Sequence, residues 1–317
     1  MSAHTSTMRA IQQDAYGTPD VLHLVELPRP EPRASEILVR VHAAGLNPAD
    51  WKSRAGLGFL RTLPLVLGWD VSGVVEAVGV GVTIFEPGDE VFGMLPFPDR
   101  VGAFAEYVTA PARAFTIKPP EIDHLHAGAI PLAALTAWQA LVDTAGVRSG
   151  QRVLIHAAAG GVGHFAVQIA KAFGATVIGT ASAGNQRFLG QIGVDEPIDY
   201  HTTDFATAVR DVDIVLDTIG RDYTERSLDT LREGGTVVTI APTGQDDLVL
   251  AARQRGLRIA RLLVEADHQG MTALAGLVQV GVLRPTIAAT FPLSDAAKAH
   301  QLGETGHTVG KIVLTVR

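Results

Sequence analysis

The 317-residue chain has no cysteine, and this absence excludes several kinds of chemistry at once. Disulfides, cysteine-ligated zinc, iron–sulfur clusters and thiol nucleophiles all need cysteine side chains. The chain also has no apolar run that approaches the roughly 18–20 residues of a membrane-spanning helix. We therefore expect a soluble globular protein without a membrane partner.

Positive charge is scarce as well. Lys and Arg total 26 against 33 Asp and Glu, which gives a formal net charge of −7. This balance repels nucleic-acid backbones unless basic residues cluster locally, and the sequence has no basic stripe, so we expect no nucleic-acid partner. The N-terminal segment MSAHTSTM is polar and lacks the apolar core of an export signal. We therefore expect a cytoplasmic location.

The pattern of short elements changes along the chain, whose length suits about two domains. Up to about residue 120, strand patterns such as EILVRV, SGVVEAV and AEYVTA alternate with turn residues, which predicts a barrel-like β domain. Apolar strands then alternate with helical patterns, which predicts a doubly wound parallel sheet of the Rossmann type. The tail of about 50 residues is too short for a further domain. We predict one discontinuous domain over 1–124 and 267–317, and a Rossmann domain over 125–266.

The clearest chemical motif joins a strand to a helix. The strand pattern VLIHA leads into a glycine-rich turn made of Ala158, Gly160, Gly161, Val162 and Gly163. This is the fingerprint G-x-G-x-x-G with Ala in its first position, in the strand-to-helix context that the motif requires. Small residues let the backbone approach a pyrophosphate, which the helix N-terminus attracts. The turn predicts a dinucleotide site; the alternative is a turn that only packs.

The end of the following strand bears on the choice of dinucleotide. NAD-binding proteins usually place Asp or Glu there, about 20 residues after the motif, to hold the ribose. The segment 180–185 has no acid, whereas Ser182, Asn185 and Arg187 can donate hydrogen bonds to a 2′-phosphate. This favours NADP(H) over NAD(H). The alternative is that Ser182 and Asn185 only cap the next helix.

Ordered segments along essentially the whole chain carry a family resemblance. They are GLNPADWKSRAG, GWDVSGVVEAVGVGVTIFEPGDEVFG, PLAALTAWQAL, HAAAGGVGHFAVQIAKAFGATVIGTAS, IDY and GKIVLTV. With them the chain resembles the zinc-free quinone oxidoreductase branch of the medium-chain dehydrogenase/reductase superfamily. The resemblance implies an α/β protein with a GroES-like β-rich catalytic domain and a Rossmann domain. It also implies an NADPH-dependent reductase and a homodimer, for which the apolar segment RIARLLVEA could supply a sheet edge.

Two positions separate the chain from the zinc-dependent relatives that it resembles. Those relatives have Cys at the position of Asn47 and His at the position of Trp69, and they hold a structural zinc with four further Cys. The missing ligand types predict that no metal is bound. Without a metal to lower the pKa of an alcohol, we expect hydride transfer to an acceptor that is already polarised, such as a quinone or an α,β-unsaturated carbonyl.

The resemblance implies roles for two residues at the catalytic end. Asn47 is expected to contact the nicotinamide ribose or the substrate oxygen, or else only to anchor a turn with Pro48. Pro48 replaces a Tyr that related enoyl reductases use as a proton donor. Asp50 is then a candidate acid, but it could equally pair with Arg54 or Lys52 and leave water as the proton source.

Further candidates follow from the same resemblance. The cofactor-binding candidates outside the glycine turn are Thr136, Tyr200, Thr218, Ile219, Ile240, Ala241 and Lys311. The alternatives are inward packing for Thr136, a surface aromatic for Tyr200 and an ordinary ion pair with Asp70 for Lys311. The family usually has Lys where this chain has Asn185, a loss for which Arg187 could compensate. Candidate walls of the substrate pocket are Met94, Leu95 and Phe97, which loop packing explains equally well.

Two other functions remain open at this level. One is an enoyl-thioester reductase of a biosynthetic pathway, which the missing Tyr disfavours. The other is a non-catalytic protein that binds or senses NADPH, because nothing in the sequence requires turnover.

Overall fold

A computed structural model describes residues 6–241 and 246–317, so most of the polar N-terminal segment MSAHTSTM lies outside the described residues. The strands are β1 (Thr7–Gln13), β2 (His23–Pro28), β3 (Glu36–Gly45), β4 (Leu65–Val66), β5 (Asp70–Val78), β6 (Glu90–Met94), β7 (Tyr107–Pro111), β8 (Phe115–Ile117), β9 (Arg152–Ile155), β10 (Thr176–Ala181), β11 (Glu196–Asp199), β12 (Val212–Asp217), β13 (Leu231–Thr239), β14 (Arg258–Arg261), β15 (Ile287–Pro292) and β16 (Lys311–Thr315). The α-helices are α1 (Pro48–Arg54), α2 (His124–Gly128), α3 (Pro131–Trp138), α4 (Gly161–Ala172), α5 (Gln186–Gln191), α6 (Phe205–Ala208), α7 (Asp222–Ser227), α8 (Asp246–Gln254), α9 (His268–Gln279) and α10 (Ala296–Glu304). A π-helical segment, Gln139–Thr144, continues α3.

The chain forms two compact units. Unit 1 comprises Met1–Leu132, Glu265–Gly281 and Pro285–Arg317, and unit 2 comprises Ala133–Val264 and Val282–Arg284. The domain borders predicted after residues 124 and 266 lie near the two main divisions between these units.

Unit 2 contains a parallel sheet in the order β11-β10-β9-β12-β13-β14. This is the strand order 3-2-1-4-5-6 of a Rossmann domain, with β9 as the first strand. The strands are apolar on both faces, and Leu154, Ile178, Val215 and Val237 are buried together with Phe205 in one core cluster. Continuous apolar strands of this kind need cover on both faces, which is why the sequence shows no polar alternation here. The prediction of a doubly wound α/β domain is confirmed.

Unit 1 is rich in antiparallel strands. One sheet runs β15-β16-β3-β5-β6-β8, with β7 also paired to β3, and a smaller sheet runs β2-β1-β4. In the larger sheet β16 pairs antiparallel with β3, so that Val313 lies opposite Gly45. The last strand of the chain thus completes a sheet that residues before position 100 begin.

Helix α10 is absent from the prediction, which read the tail as one helix followed by extended segments. The helix buries Ala296, Ala299, His300 and Gly303, which follow the i, i+3, i+4, i+7 spacing of one helical face. These residues are small or polar, so their stripe gives a weak hydrophobic signal. The segment RIARLLV is a strand only over Arg258–Arg261, where it forms an edge of the unit 2 sheet. Within the described ranges, no helix is long and apolar enough to cross a membrane.

Candidate functional site

The glycine-rich turn of unit 2 is tightly constrained. Ala157, just after β9, has a φ of 48°, and the backbone N–H of Ala158 donates to the carbonyl oxygen of Thr180 at 2.9 Å. A Cβ atom on Gly163 would lie 2.2 Å from the carbonyl oxygen of Ala157, a distance that no side chain tolerates. Only glycine therefore lets the first turn of α4 pack against this loop.

The turn has the properties that a dinucleotide pyrophosphate requires. It connects β9 to α4, and β9 lies beside β12 at the point where the strand order reverses, which is where ligands bind in such sheets. The first N–H groups of a helix have no acceptor within the helix and carry partial positive charge. Gly160, Gly161 and Val162 are partly exposed there, whereas Ala158 and Gly163 are buried. The residues present fit a dinucleotide.

The residues proposed for the 2′-phosphate come together at the end of β10. The Asn185 amide donates to the Ser182 hydroxyl oxygen at 3.3 Å, and neither side chain caps a helix. The backbone N–H of Tyr200 donates to the carbonyl oxygen of Ala181 at 3.3 Å, which places Tyr200 beside this segment. The Tyr200 side chain is 42% exposed, and Arg187 is exposed as well. Ser182 and Asn185 do occupy the N-cap positions of the 3-10 turn 183–185 and of α5, but neither side chain makes the capping hydrogen bond.

The loop after β12 is fixed by a carboxylate that the sequence analysis missed, and the loop after β13 lies beside it, since the N–H of Ile240 donates to the backbone carbonyl oxygen of Asp217 at 3.0 Å. Asp217 is fully buried and accepts the backbone N–H groups of Ile219 and Gly220, each at 2.9 Å. The Thr218 hydroxyl donates to the carbonyl oxygen of His156 at 2.9 Å, which joins the β12 loop to the end of β9. A lone acid at the end of an apolar strand is the signal that could have identified Asp217. Ile219 is exposed, and partly exposed positions in these loops are Thr218, Ile240 and Ala241.

The candidates of unit 1 form a buried polar cluster of four side chains: Asn47, Asp50, Asp70 and Lys311. Each is at most 3% exposed. The Lys311 ammonium donates to Asp70 Oδ2 at 3.2 Å, to Asn47 Oδ1 and to the carbonyl oxygen of Leu46 at 2.8 Å. The Asn47 amide donates to Asp70 Oδ2 at 2.9 Å. An ammonium has three N–H groups, so Lys311 uses all of them inside unit 1.

This arrangement bears on two predicted roles. The ion pair of Lys311 with Asp70 is present, and contact with a cofactor phosphate would require Lys311 to give up one of its partners. Asn47 is the N-cap residue of α1, so it does anchor a turn with Pro48. One of the two amide N–H groups of Asn47 donates to Asp70, and the side chain is 2% exposed.

Asp50 is fully buried, and only part of its carboxyl is hydrogen-bonded. Its Oδ2 accepts the backbone N–H of Asn47 at 2.7 Å, and its buried Oδ1 has no hydrogen-bond partner among the described residues. Burial raises the pKa of Asp50 to about 8, with a further rise from the Asp70 carboxylate and a partial offset from the Asn47 N–H. Near neutral pH the carboxyl is therefore protonated. The proposed pairing of Asp50 with Arg54 or Lys52 is wrong, since Arg54 instead pairs with Glu304 at 2.6 Å and Lys52 is exposed, away from the buried carboxyl.

The remaining candidates are mostly buried. Thr136 is buried on α3, as its packing alternative requires. Met94 and Leu95 have no exposed surface, which favours packing over a role as pocket walls, whereas Phe97 is partly exposed. Trp69 is 1% exposed, and its indole N–H donates to the carbonyl oxygen of Asp99 at 3.0 Å. Within residues 6–241 and 246–317, no group of three or more His, Cys, Asp or Glu side chains could hold a metal ion.

The Rossmann sheet, its glycine turn and the β-rich unit that the C-terminal strand completes define a medium-chain dehydrogenase/reductase. Residues 33–121 match the family described as alcohol dehydrogenase GroES-like domain, and residues 192–314 match the one described as zinc-binding dehydrogenase. The chain belongs to the quinone oxidoreductase branch of this superfamily, as the resemblance predicted.

Three similar proteins illustrate this membership. The NAD(P)H oxidoreductase RTN4IP1, mitochondrial, of Danio rerio is 33% identical over 361 aligned positions, which cover 99% of this chain and 93% of the relative. The solved structure of the quinone oxidoreductase from Coxiella burnetii is 42% identical, with a TM-score of 0.93 over 98% of this chain and 100% of its own. The Escherichia coli quinone oxidoreductase complexed with NADPH is 32% identical, with a TM-score of 0.88 and the same coverage. The chain is therefore an oxidoreductase with a nicotinamide cofactor.

Proposed function

We propose that the protein is an NADPH-dependent reductase that transfers a hydride to a quinone or an α,β-unsaturated carbonyl. The observation that carries the proposal is the pair of side chains at positions 47 and 69. Zinc-dependent relatives have a thiolate at the first position and an imidazole at the second. This chain has the Asn47 amide at the first, and the amide oxygen accepts a hydrogen bond from Lys311. At the second it has the Trp69 indole, whose nitrogen is an N–H donor. Neither side chain supplies the thiolate or imidazole that a zinc site of this kind requires. The acceptor must therefore already be polarised.

NADP(H) is the proposed cofactor, and when bound it supplies the hydride. The N-terminal turn of α4 would hold the pyrophosphate. The segment 180–185 carries no carboxylate to repel a 2′-phosphate. The residues that would hold this phosphate are Ser182, Asn185, Arg187 and Tyr200. The residues proposed for the nicotinamide end are Thr136, Thr218, Ile219, Ile240 and Ala241.

In unit 1 we assign the polar contact with the ligand to Asn47. One of its amide N–H groups donates to Asp70, and the other can donate to the acceptor oxygen or to a ribose hydroxyl. We assign Asp50 to the positioning of Asn47, because its carboxyl is fully buried and accepts the Asn47 N–H. The proton that the reduced acceptor takes up then comes from water. Phe97 is the proposed apolar contact of the acceptor.

A homodimer that forms along β14 belongs to the same proposal, since β14 is an edge strand whose free backbone groups can pair with a second copy.

The reaction is tested by following the loss of NADPH absorbance with 1,4-benzoquinone, 9,10-phenanthrenequinone, a 2-alkenal and crotonyl-CoA. Turnover with a quinone or with the alkenal is the expected result. Turnover with crotonyl-CoA alone would instead identify an enoyl-thioester reductase. Binding of NADPH without oxidation by any acceptor would contradict the proposal and indicate a binding or sensor protein. An affinity for NADH equal to or above that for NADPH would contradict the cofactor assignment.

A further inference from the structure

The loop that follows α1 is held firmly against that helix. A Cβ atom on Gly58 would lie 2.3 Å from the hydroxyl oxygen of Ser53 and 2.6 Å from its backbone nitrogen, so only glycine fits. Gly56 has a φ of 77°, which favours glycine, and the N–H of Leu57 donates to the carbonyl oxygen of Lys52 at 2.8 Å. The backbone of this loop is therefore fixed by close packing and hydrogen bonds.

The fixed loop carries two large apolar side chains on its solvent side. Leu57 is 77% exposed and Phe59 is 53% exposed. Apolar surface that is left in water is unfavourable, and neighbouring exposed apolar side chains commonly mark a binding site. Because the backbone is constrained, these side chains are presented in one arrangement and a ligand need not order the loop.

Phe59 is also the outer end of an aromatic row, which consists of Phe59, Phe97 and Trp69. The rings of Phe59 and Phe97 lie 5.3 Å apart at 82°, and those of Phe97 and Trp69 lie 5.0 Å apart at 82°. These are edge-to-face contacts, the favourable geometry for aromatic pairs. The hydrogen bond from Trp69 to the carbonyl oxygen of Asp99 fixes the inner end of the row.

The middle ring of the aromatic row belongs to Phe97, which the proposed function places against the acceptor. Phe59 packs edge to face on Phe97 and is the more exposed of the two, so it extends this apolar contact outward. In the chain, Trp69 directly precedes Asp70 of the buried polar cluster.

We propose that Phe59 determines the preference for the size of the acceptor, because its exposed ring contacts the additional fused rings of a polycyclic aromatic quinone. A single-ring quinone has no further ring to place there, whereas fused rings extend a flat apolar surface onto which an aromatic side chain packs. Leu57 extends the same apolar edge. The inference rests on the proposed function, because the acceptor is the substrate of that reaction.

The test compares Phe59→Ala and Phe59→Tyr with the unchanged protein, using 9,10-phenanthrenequinone and 1,4-benzoquinone as acceptors. Loss of one aromatic contact should raise KM for the phenanthrenequinone by about threefold to tenfold, with kcat unchanged. KM for benzoquinone and for NADPH should stay the same, and Phe59→Tyr should restore the KM for the phenanthrenequinone. Val80→Ala is the matched control, since Val80 is 86% exposed elsewhere in unit 1.

The outcomes separate this inference from the proposed function. If the unchanged protein oxidises NADPH with neither quinone, the proposed function fails and this inference fails with it. If both quinones are reduced but Phe59→Ala changes both KM values equally, or changes neither, only the inference about Phe59 is overturned. A change in sedimentation with unchanged KM would also overturn it, and would assign the apolar edge to contact with a second copy of the chain.

Discussion

The protonation of Asp50 can be tested through the pH dependence of stability in the variant Asp50→Asn. An Asn side chain resembles a neutral carboxyl in shape, and its oxygen can accept the Asn47 N–H that Asp50 Oδ2 accepts. Burial raises the pKa of Asp50 from 3.8 to about 8, so the folded protein binds a proton that the unfolded chain releases over this range. A raised carboxyl pKa means that stability falls as pH increases from about 4 to about 8.

The expected size of this effect follows from the same shift. Each pH unit inside the range costs about 1.4 kcal/mol, because one unit of pKa difference corresponds to that free energy. Between pH 5 and pH 7 the unchanged protein should lose about 3 kcal/mol relative to Asp50→Asn. Above the folded pKa the difference between the two proteins should level off.

The assay is urea unfolding followed by tryptophan fluorescence in a Trp138→Phe background. The chain has three tryptophans, of which Trp51 and Trp69 belong to unit 1 and Trp138 belongs to unit 2. The remaining signal then reports on the unit that contains Asp50. The control is Asp99→Asn, which changes an exposed carboxyl of the same unit and should leave the pH dependence unaltered. A stability difference between Asp50→Asn and its parent that is the same at pH 5 and pH 7 would refute a protonated Asp50.

Three further predictions concern the cofactor site and the assembly. Gly163→Ala should weaken NADPH binding roughly tenfold in titration calorimetry, because the added Cβ atom overlaps a backbone carbonyl and must displace the turn. The control is Gly190→Ala, which should leave NADPH binding unchanged because a Cβ atom there would have no heavy atom within 4 Å. Arg187→Ala should weaken NADPH binding about tenfold and leave NADH binding unchanged, since a charge-assisted bond to the 2′-phosphate contributes about 1.5–3 kcal/mol; an equal loss for both cofactors would contradict this role. The N–H of Leu262 faces β13, so the N–H of the preceding residue, Arg261, faces the open edge of the sheet. Proline at position 261 removes this N–H, whereas alanine keeps it. In sedimentation, Arg261→Pro should therefore convert a dimer to a monomer, and Arg261→Ala should not. A Pro variant that remains dimeric would exclude this edge as the interface.

The glycine turn and the Rossmann sheet of unit 2 could be predicted from the sequence, because both depend on short patterns of neighbouring residues. The glycine turn could be placed because a buried strand precedes it and an amphipathic helix follows it, and steric contact at Gly163 shows why the spacing is fixed. The conformation of this turn depends on contacts between residues that are close in sequence. The confirmed Rossmann order of unit 2 depends on the same repeating pattern of strand and helix.

The burial of individual side chains could not be predicted from the sequence where segments that are distant in the chain surround them. Asp50 has two basic neighbours in its own helix, so an ion pair was a reasonable expectation, but folding buries its carboxyl. The sequence places Met94 and Leu95 after the strand pattern EVFG, as pocket residues would be, but in the structure Met94 is the last residue of β6 and neither side chain has exposed surface. The helix α10 has a helical face that a scan for large apolar residues overlooks. The burial of Asp50, Met94 and Leu95 depends on segments that are distant in sequence, whereas the helical face of α10 is present in the local spacing but is made of small and polar residues.

The buried polar cluster explains why unit 1 needs the end of the chain. Asp70 lies on β5 and is fully buried, and the cation that pairs with it, Lys311, comes from β16, 241 residues later. A buried carboxylate without its partner costs about 3–5 kcal/mol, so the N-terminal strands alone would carry an uncompensated charge beside the predicted catalytic Asn47. When β16 pairs with β3, it supplies this cation and completes the sheet in the same step. The discontinuous chain path and the arrangement of Asn47 therefore have one physical origin, since the side chain that orients Asn47 belongs to the strand that closes the sheet.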